Sequence, residues 1–168
     1  MKFFLIGLPG SGKTTLGKQL AEKLNLPFVD LDLEIEKLES KTVQEIFAQK
    51  KENYFREAES KLLKNFCSSK NDFVMATGGG APCFFDNMNL MNQSGKTIFL
   101  DVSASEIAIR LQKTNLTERP LFSKLSSEQL KDKIEWLRSQ RFSFYKQAKH
   151  IISSNSFSLE EIVRIIKD

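Results

Sequence analysis

Residues Gly7-Leu8-Pro9-Gly10-Ser11-Gly12-Lys13-Thr14 constrain this chain more than any other stretch. They follow the apolar run Phe3-Phe4-Leu5-Ile6 and precede Leu16, Leu20 and Leu24, which recur at helical spacing. Strand, glycine-rich turn, helix is the order in which G-x-x-x-x-G-K-[ST] binds phosphate. The glycines let successive backbone N–H groups curl into one concavity, at the positive end of the helix dipole. Lys13 is placed to reach the outer phosphates of a nucleotide, and Thr14 to offer its hydroxyl to Mg²⁺. Gly10, Ser11, Gly12, Lys13, Thr14 and Thr15 are the candidate nucleotide-binding residues of this stretch.

Downstream, strands and helices alternate. A strand is expected over Lys2 to Ile6 and a helix from about Lys13 to Leu24, ended by Asn25 and Pro27. Pro27-Phe28-Val29 reads as a short buried strand with Asp30-Leu31-Asp32 at its carboxyl end. A helix is expected over Leu33 to Ser40, and Thr42-Val43-Gln44-Glu45 forms a capping box for the next. A longer helix carries Phe55, Ala58, Leu62, Leu63 and Phe66 on one face. Phe73 to Ala76 is a third strand running into Thr77-Gly78-Gly79-Gly80, and Lys96 to Val102 a fourth. Short helices over Asn87 to Asn92 and from Ser103 to Leu111 flank that fourth strand. A long helix from about Ser127 to Gln147 has Leu130, Ile134, Leu137 and Phe144 as its inner face. Ile151-Ile152 is a fifth strand, and Ser158 caps a last helix carrying Ile162, Ile165 and Ile166. Such alternation predicts an α/β fold with a parallel sheet and helices on both faces. In such sheets ligands lie at the carboxyl ends of the strands, where the loop, Asp30, Asp32 and the triple glycine all fall.

The length of 168 residues suits one domain with a full core. Apolar content of 40% and charged content of 27% are globular, and no run approaches a membrane span. The short N-terminal apolar run passes straight into the loop and is not read as a secretory signal. Cys67 and Cys83 fit neither a metal spacing nor a disulfide framework and are read as reduced, buried residues in a cytoplasmic protein. The net charge of +4 is scattered along helices, which suits anionic small ligands better than nucleic acid.

Asp30 and Asp32 are two apart on a segment read as extended, one strand-helix unit past the loop. One carboxylate suits the hydration shell of Mg²⁺; the other suits a hydroxyl about to attack phosphorus. The alternative is that one of them caps the following helix. Three glycines after a buried strand suggest close backbone approach to a ligand. Thr114 to Lys124, holding Arg119-Pro120, has the character of a lid that brings a guanidinium onto transferring phosphate. Arg56 and Glu59, three apart on a helix, are read as a pair on its surface. Arg138 and Arg141 are left open between solvent and site. His150 is read as structural, Trp136 as core or half-buried, and most of the fourteen phenylalanines as core.

Together these residues resemble the shikimate kinase family over essentially the whole chain. The likeness is carried by Gly7 to Thr14, Phe28-Val29-Asp30-Leu31-Asp32, Ile46-Phe47, Tyr54-Phe55-Arg56-Glu57-Ala58-Glu59, Thr77-Gly78-Gly79-Gly80, Glu118-Arg119-Pro120-Leu121 and Arg141-Phe142-Ser143-Phe144-Tyr145. Asn53 departs from the family's usual pattern. The resemblance implies a three-layer P-loop kinase fold of nucleoside-monophosphate-kinase type, with a five-stranded parallel sheet in the order 2-3-1-4-5. It implies a single kinase domain, with an acceptor-binding segment over roughly 30–60 and a lid over roughly 114–124. The activity implied is transfer of the γ-phosphoryl of MgATP to the 3-hydroxyl of shikimate.

By the same resemblance, Lys13, Asp32 and Arg119 are the catalytic set. Asp32, Phe47, Phe55, Arg56, Gly78, Gly79, Gly80, Arg119 and Arg141 hold shikimate, with Glu59 orienting Arg56. Arg119 and Ser154 join the ATP-binding residues, and Thr14 and Asp30 serve Mg²⁺. Either Arg110 or Lys113 stacks on adenine. ATP and shikimate are the expected partners of a monomer, with no membrane or nucleic acid involved. A gluconate kinase and a non-catalytic ATP-binding regulatory module are the alternative readings.

Overall fold

The computed structural model describes residues 1–114, 122, 125–154 and 158–167. Five strands, β1 (Lys2–Ile6), β2 (Phe28–Asp30), β3 (Phe73–Ala76), β4 (Lys96–Asp101) and β5 (His150–Ser153), form one parallel sheet in the order β2-β3-β1-β4-β5. Helices α1 (Lys13–Leu24), α2 (Leu31–Glu39), α3 (Val43–Ser68), α4 (Asn87–Ser94), α5 (Ala104–Gln112), α6 (Ser127–Tyr145) and α7 (Leu159–Lys167) connect and cover it.

Alternation along each central strand divides the core in two. Phe3 and Leu5 of β1, Val74 of β3, and Ile98 and Leu100 of β4 face one side, under Leu16, Leu20 and Ala21 of α1 and Ile162 and Ile166 of α7. Phe4, Ile6, Phe73, Met75 and Phe99 face the other, under α2 through α6. Side chains on a strand point to opposite faces in turn, so buried strands of this kind need apolar residues at every position.

The helix starts follow their caps. Thr42 and Glu45 exchange hydrogen bonds at the start of α3, and Ser126 and Gln129 do the same for α6. Four features differ from what the sequence suggests. α2 begins at Leu31, two residues early, because Asp30 caps it by accepting from Leu33 N at 3.4 Å. Asp32 therefore lies in a helical first turn, not on extended chain. The two helices read around residue 50, by contrast, are both present: α3 spans them and breaks at Lys51, which takes φ 67° and ψ 171°. The inner face of α6 ends on Arg141 and Tyr145, both buried, where Phe144 is only half-buried. Trp136 is 53% exposed, with the Lys133 ammonium over its ring. A 3₁₀ turn at Ala81–Cys83, unforeseen in the sequence, follows the triple glycine. Among the described residues no helix is long and apolar enough to cross a membrane.

Candidate active site

The carboxyl ends of β1, β2 and β3 open into a cleft of about 830 Å³. One end is built by the loop after β1. Gly10 and Gly12 have φ of 83° and 97°, a region that L side chains rarely enter. Their turn brings the chain from the end of β1 to the first residue of α1. The Lys13 ammonium donates to the carbonyls of Gly7 and Leu8 at 3.0 Å each, so it lies over the loop and is buried. Thr14 Oγ1 donates to Asp30 Oδ2 at 3.1 Å. Asp30 thus uses one oxygen to cap α2, the alternative the sequence offered for it, and the other to accept from Thr14.

The other end gathers two arginines. Arg56, on α3 beyond the break, is 6% exposed and Glu59 is fully buried, so their pair lies inside the protein and not on the helix surface as the spacing alone suggests. Arg56 Nη1 donates to Glu59 Oε2 at 2.9 Å, and its Nε and Nη2 reach Glu52 Oε1 at 3.2 and 3.1 Å. Phe55 and Phe84 flank the guanidinium, with ring centroids 5.2 and 4.6 Å from its carbon. Burial alone would lower the Arg56 pKa, but Glu59 and Glu52 raise it above the ordinary value, so it stays cationic. Arg141 approaches from α6. Phe47 and Phe55 pack at 4.9 Å between centroids and make an apolar wall.

Each glycine after β3 faces a different group. A Cβ at Gly78 would lie 2.6 Å from Glu59 Oε1 and 2.8 Å from Asp32 Oδ1. At Gly79 it would lie 2.8 Å from Pro9 Cδ and 3.2 Å from Arg141 Nη1, and at Gly80 it would overlap Arg56 Nη2. The triple glycine is therefore the floor on which two carboxylates and two guanidinium groups converge.

Three side-chain atoms here are buried without a protein partner among the described residues: Asp32 Oδ1, Glu59 Oε1 and Arg141 Nη1. Burying such atoms unpaired is costly, and a ligand with hydroxyls and a carboxylate would satisfy them. Burial, with Asp30 adding to it, pushes the Asp32 carboxyl up to about 6, while Lys13 and Arg56 pull the other way. Burial likewise pushes Glu59 up to about 7 against the pull of Arg56.

Gly10, Gly12, Lys13, Thr14, Thr15, Asp30, Asp32, Phe47, Phe55, Arg56, Gly78, Gly79, Gly80 and Arg141 all line this cleft. Ser11 is buried beneath the loop, and Ser154 follows β5 outside the lining. Arg119 and most of the expected lid lie outside the described residues. Of the two adenine candidates, Arg110 lines the cleft; it donates to Glu106 Oε1 at 2.8 Å and to Ser11 O at 3.3 Å. Lys113 ends α5 away from the lining. Arg138 is drawn off to Asp101 at 2.7 Å, which separates it from Arg141. Sequence reasoning passed over Pro9, Glu52, Phe84 and the hydroxyl of Tyr145. Glu52 and Tyr145 each stand four residues from a site arginine, and that spacing was the available signal.

Sheet order and loop together define a P-loop phosphotransferase that uses a nucleotide. The family model for shikimate kinase matches residues 9–168. The shikimate kinase of Phocaeicola vulgatus is 45% identical over 154 residues, covering 92% of this chain and 87% of that protein. The crystal structure of shikimate kinase from Bacteroides thetaiotaomicron superposes with a TM-score of 0.93 at 38% identity, covering 100% of this chain and 99% of that one. Shikimate kinase from Acinetobacter baumannii, solved in complex with shikimate, gives 0.85 at 33% identity over 99% of this chain and 90% of its own. The chain belongs to the shikimate kinase family.

Proposed function

We propose that this protein transfers the γ-phosphoryl of MgATP to the 3-hydroxyl of shikimate, giving shikimate 3-phosphate. One observation carries the reading: a single cleft joins a phosphate loop to a pair of buried arginines and an unpartnered aspartate oxygen. Phosphoryl transfer asks the protein mainly to position two reactants and to neutralise charge, and this layout does both.

The loop amides from Gly10 to Thr15 and the Lys13 ammonium hold the phosphates, and Arg110 bounds the adenine end, with Ser154 assigned there from the family resemblance alone. Lys13 moves from its own loop carbonyls onto the outer phosphates when nucleotide enters. Arg56 and Arg141 grip the shikimate carboxylate, since a guanidinium fork can donate two parallel bonds to a carboxylate. Phe47 and Phe55 flank the carbocycle, and Gly78, Gly79 and Gly80 let it lie against the backbone. Asp32 Oδ1 accepts from the attacking hydroxyl and takes its proton as the bond to phosphorus forms. With a pKa near 6 it is ionised at neutral pH yet basic enough to help. Arg119, carried over from the family resemblance, completes the charge around the transferring group. The residues fit Mg²⁺: Thr14 and Asp30 place a hydroxyl and a carboxylate oxygen 3.1 Å apart on the cleft wall, and hard oxygen donors few in number suit this ion. It would neutralise charge on the phosphate oxygens. The reading takes the protein as a monomer.

A coupled assay of ADP release with shikimate and with gluconate as acceptors tests the proposal. Saturable turnover with shikimate alone supports it; turnover with gluconate, or with neither, refutes it.

A further inference from the structure

The turn that carries the triple glycine has its carbonyls tied back into the protein. Gly78 O accepts from Ala81 N at 3.1 Å and Gly80 O from Cys83 N at 2.9 Å. Ala81 O accepts from Asn87 Nδ2 at 2.9 Å, and Asn87 is itself held by Ser60 Oγ at 2.8 Å. Gly79 O is served differently. Its donor is the hydroxyl of Tyr145, at 2.5 Å, on the last turn of α6. Tyr145 is fully buried, and the Phe99 ring packs on it at 5.0 Å. Burial holds its phenol above the ordinary range, so it remains a donor.

Two consequences follow from peptide geometry. The carbonyl of Gly79 and the N–H of Gly80 belong to one trans plane and point in opposite directions. Pinning the first to α6 turns the second away from α6, on a residue that lines the cleft. No backbone carbonyl among the described residues accepts from the N–H groups of Gly79 and Gly80. A carbonyl that accepts a short bond also polarises its own amide, strengthening it as a donor. The second consequence concerns Arg141, one helical turn before Tyr145 and on the same buried face. Its Nη1, unpartnered, is 3.2 Å from where a Gly79 Cβ would stand.

We infer that Tyr145 is a positioning residue for the acid end of the cleft: it locks the glycine turn to α6, so that the Gly80 N–H and the Arg141 guanidinium meet one carboxylate in fixed register. This rests on the reading that the acceptor is a carboxylic acid. Tyr145→Phe keeps every carbon and removes only the hydroxyl, and thermal unfolding checks that the variant remains folded.

The experiment compares wild type and Tyr145→Phe with shikimate, with its neutral methyl ester, and with MgATP. We expect KM for shikimate to rise about tenfold, the scale of one well-placed hydrogen bond. Turnover at saturation, KM for MgATP, and kcat/KM for the ester should each stay within about twofold. A purely structural role would depress all of them together, and that result, or an unchanged KM for shikimate, overturns the inference. Wild-type protein that does not phosphorylate shikimate would instead sink the functional reading on which the inference stands.

Discussion

Arg56 has the most to lose at the acid end of the cleft. It is buried, ion-paired to a Glu59 that is itself fully buried, and sandwiched between two aromatic rings. Arg56→Ala removes the ligand for the substrate carboxylate and also strands Glu59 without its cation. We predict that KM for shikimate rises by the equivalent of about 2–5 kcal/mol, the range for losing one member of a buried charge pair. Arg56→Lys should rescue little, because an ammonium cannot serve Glu59, Glu52 and a ligand through one planar fork. Steady-state kinetics on both variants check this. Asp32 predicts a pH effect. Its carboxyl is pushed from 3.8 to about 6, so the fold favours the protonated form. The sign for stability is that the penalty is absent below pH 3.8 and fully present above pH 6, so stability is lost as pH rises through that window. The sign for function is opposite, since only the carboxylate accepts the proton. We expect kcat/KM to climb with pH and level off above about 6, and Asp32→Asn to depress turnover and abolish that limb. The same variant should be more stable than wild type at pH 8 and not at pH 3.5, as read by thermal unfolding.

The segment from α2 to the break in α3 behaves as one unit. Glu36 Oε1 accepts from Val43 N at 2.8 Å, and Glu39 is held by both Lys50 at 2.9 Å and Tyr54 at 2.8 Å. Lys50 and Tyr54 stand on either side of Lys51, whose φ of 67° with ψ of 171° lies in a region populated almost only by glycine. We predict that Lys51→Gly stabilises the protein by about 1 kcal/mol, equivalent to roughly 2–4 °C in Tm. A lower Tm would mean that the break is not strained. This element also marks what could be read from residues alone. The Thr42 capping box, the strand-loop-helix of the first 24 residues and the sheet's alternation are local patterns, and they survive folding. Asp30 is ambiguous in sequence because a helix cap and a carboxylate for a metal's hydration shell look alike in one dimension. The sequence separates two helices around residue 50 but does not place the break at Lys51, since lysine favours an unbroken helix. Trp136 reads as core or half-buried by type, yet α6 turns it outward, because Leu130, Ile134, Leu137, Arg141 and Tyr145 already claim the inner face. Tyr145 and Gly79 are 66 residues apart, and no local spacing could announce their bond.

Across the whole molecule, two apolar layers grip one sheet, and its carboxyl edge is where charge collects. Ligands that bind only the folded form should stabilise it. Shikimate or MgATP at a hundred times its Kd is expected to add about 2.7 kcal/mol, visible as a rise in Tm. Lys13→Ala should lose the MgATP shift and most of the turnover while keeping most of the shikimate shift, because the Lys13 ammonium is held over the phosphate loop. If the variant lost both shifts, the two ends of the cleft would not be separable as described. The most direct test joins both ends in one reaction: coupled-assay turnover of MgATP with shikimate as acceptor. The arrangement of loop, paired arginines and unpartnered aspartate predicts saturable, shikimate-dependent ADP release. Protein that binds MgATP yet releases no ADP at saturating shikimate would contradict it.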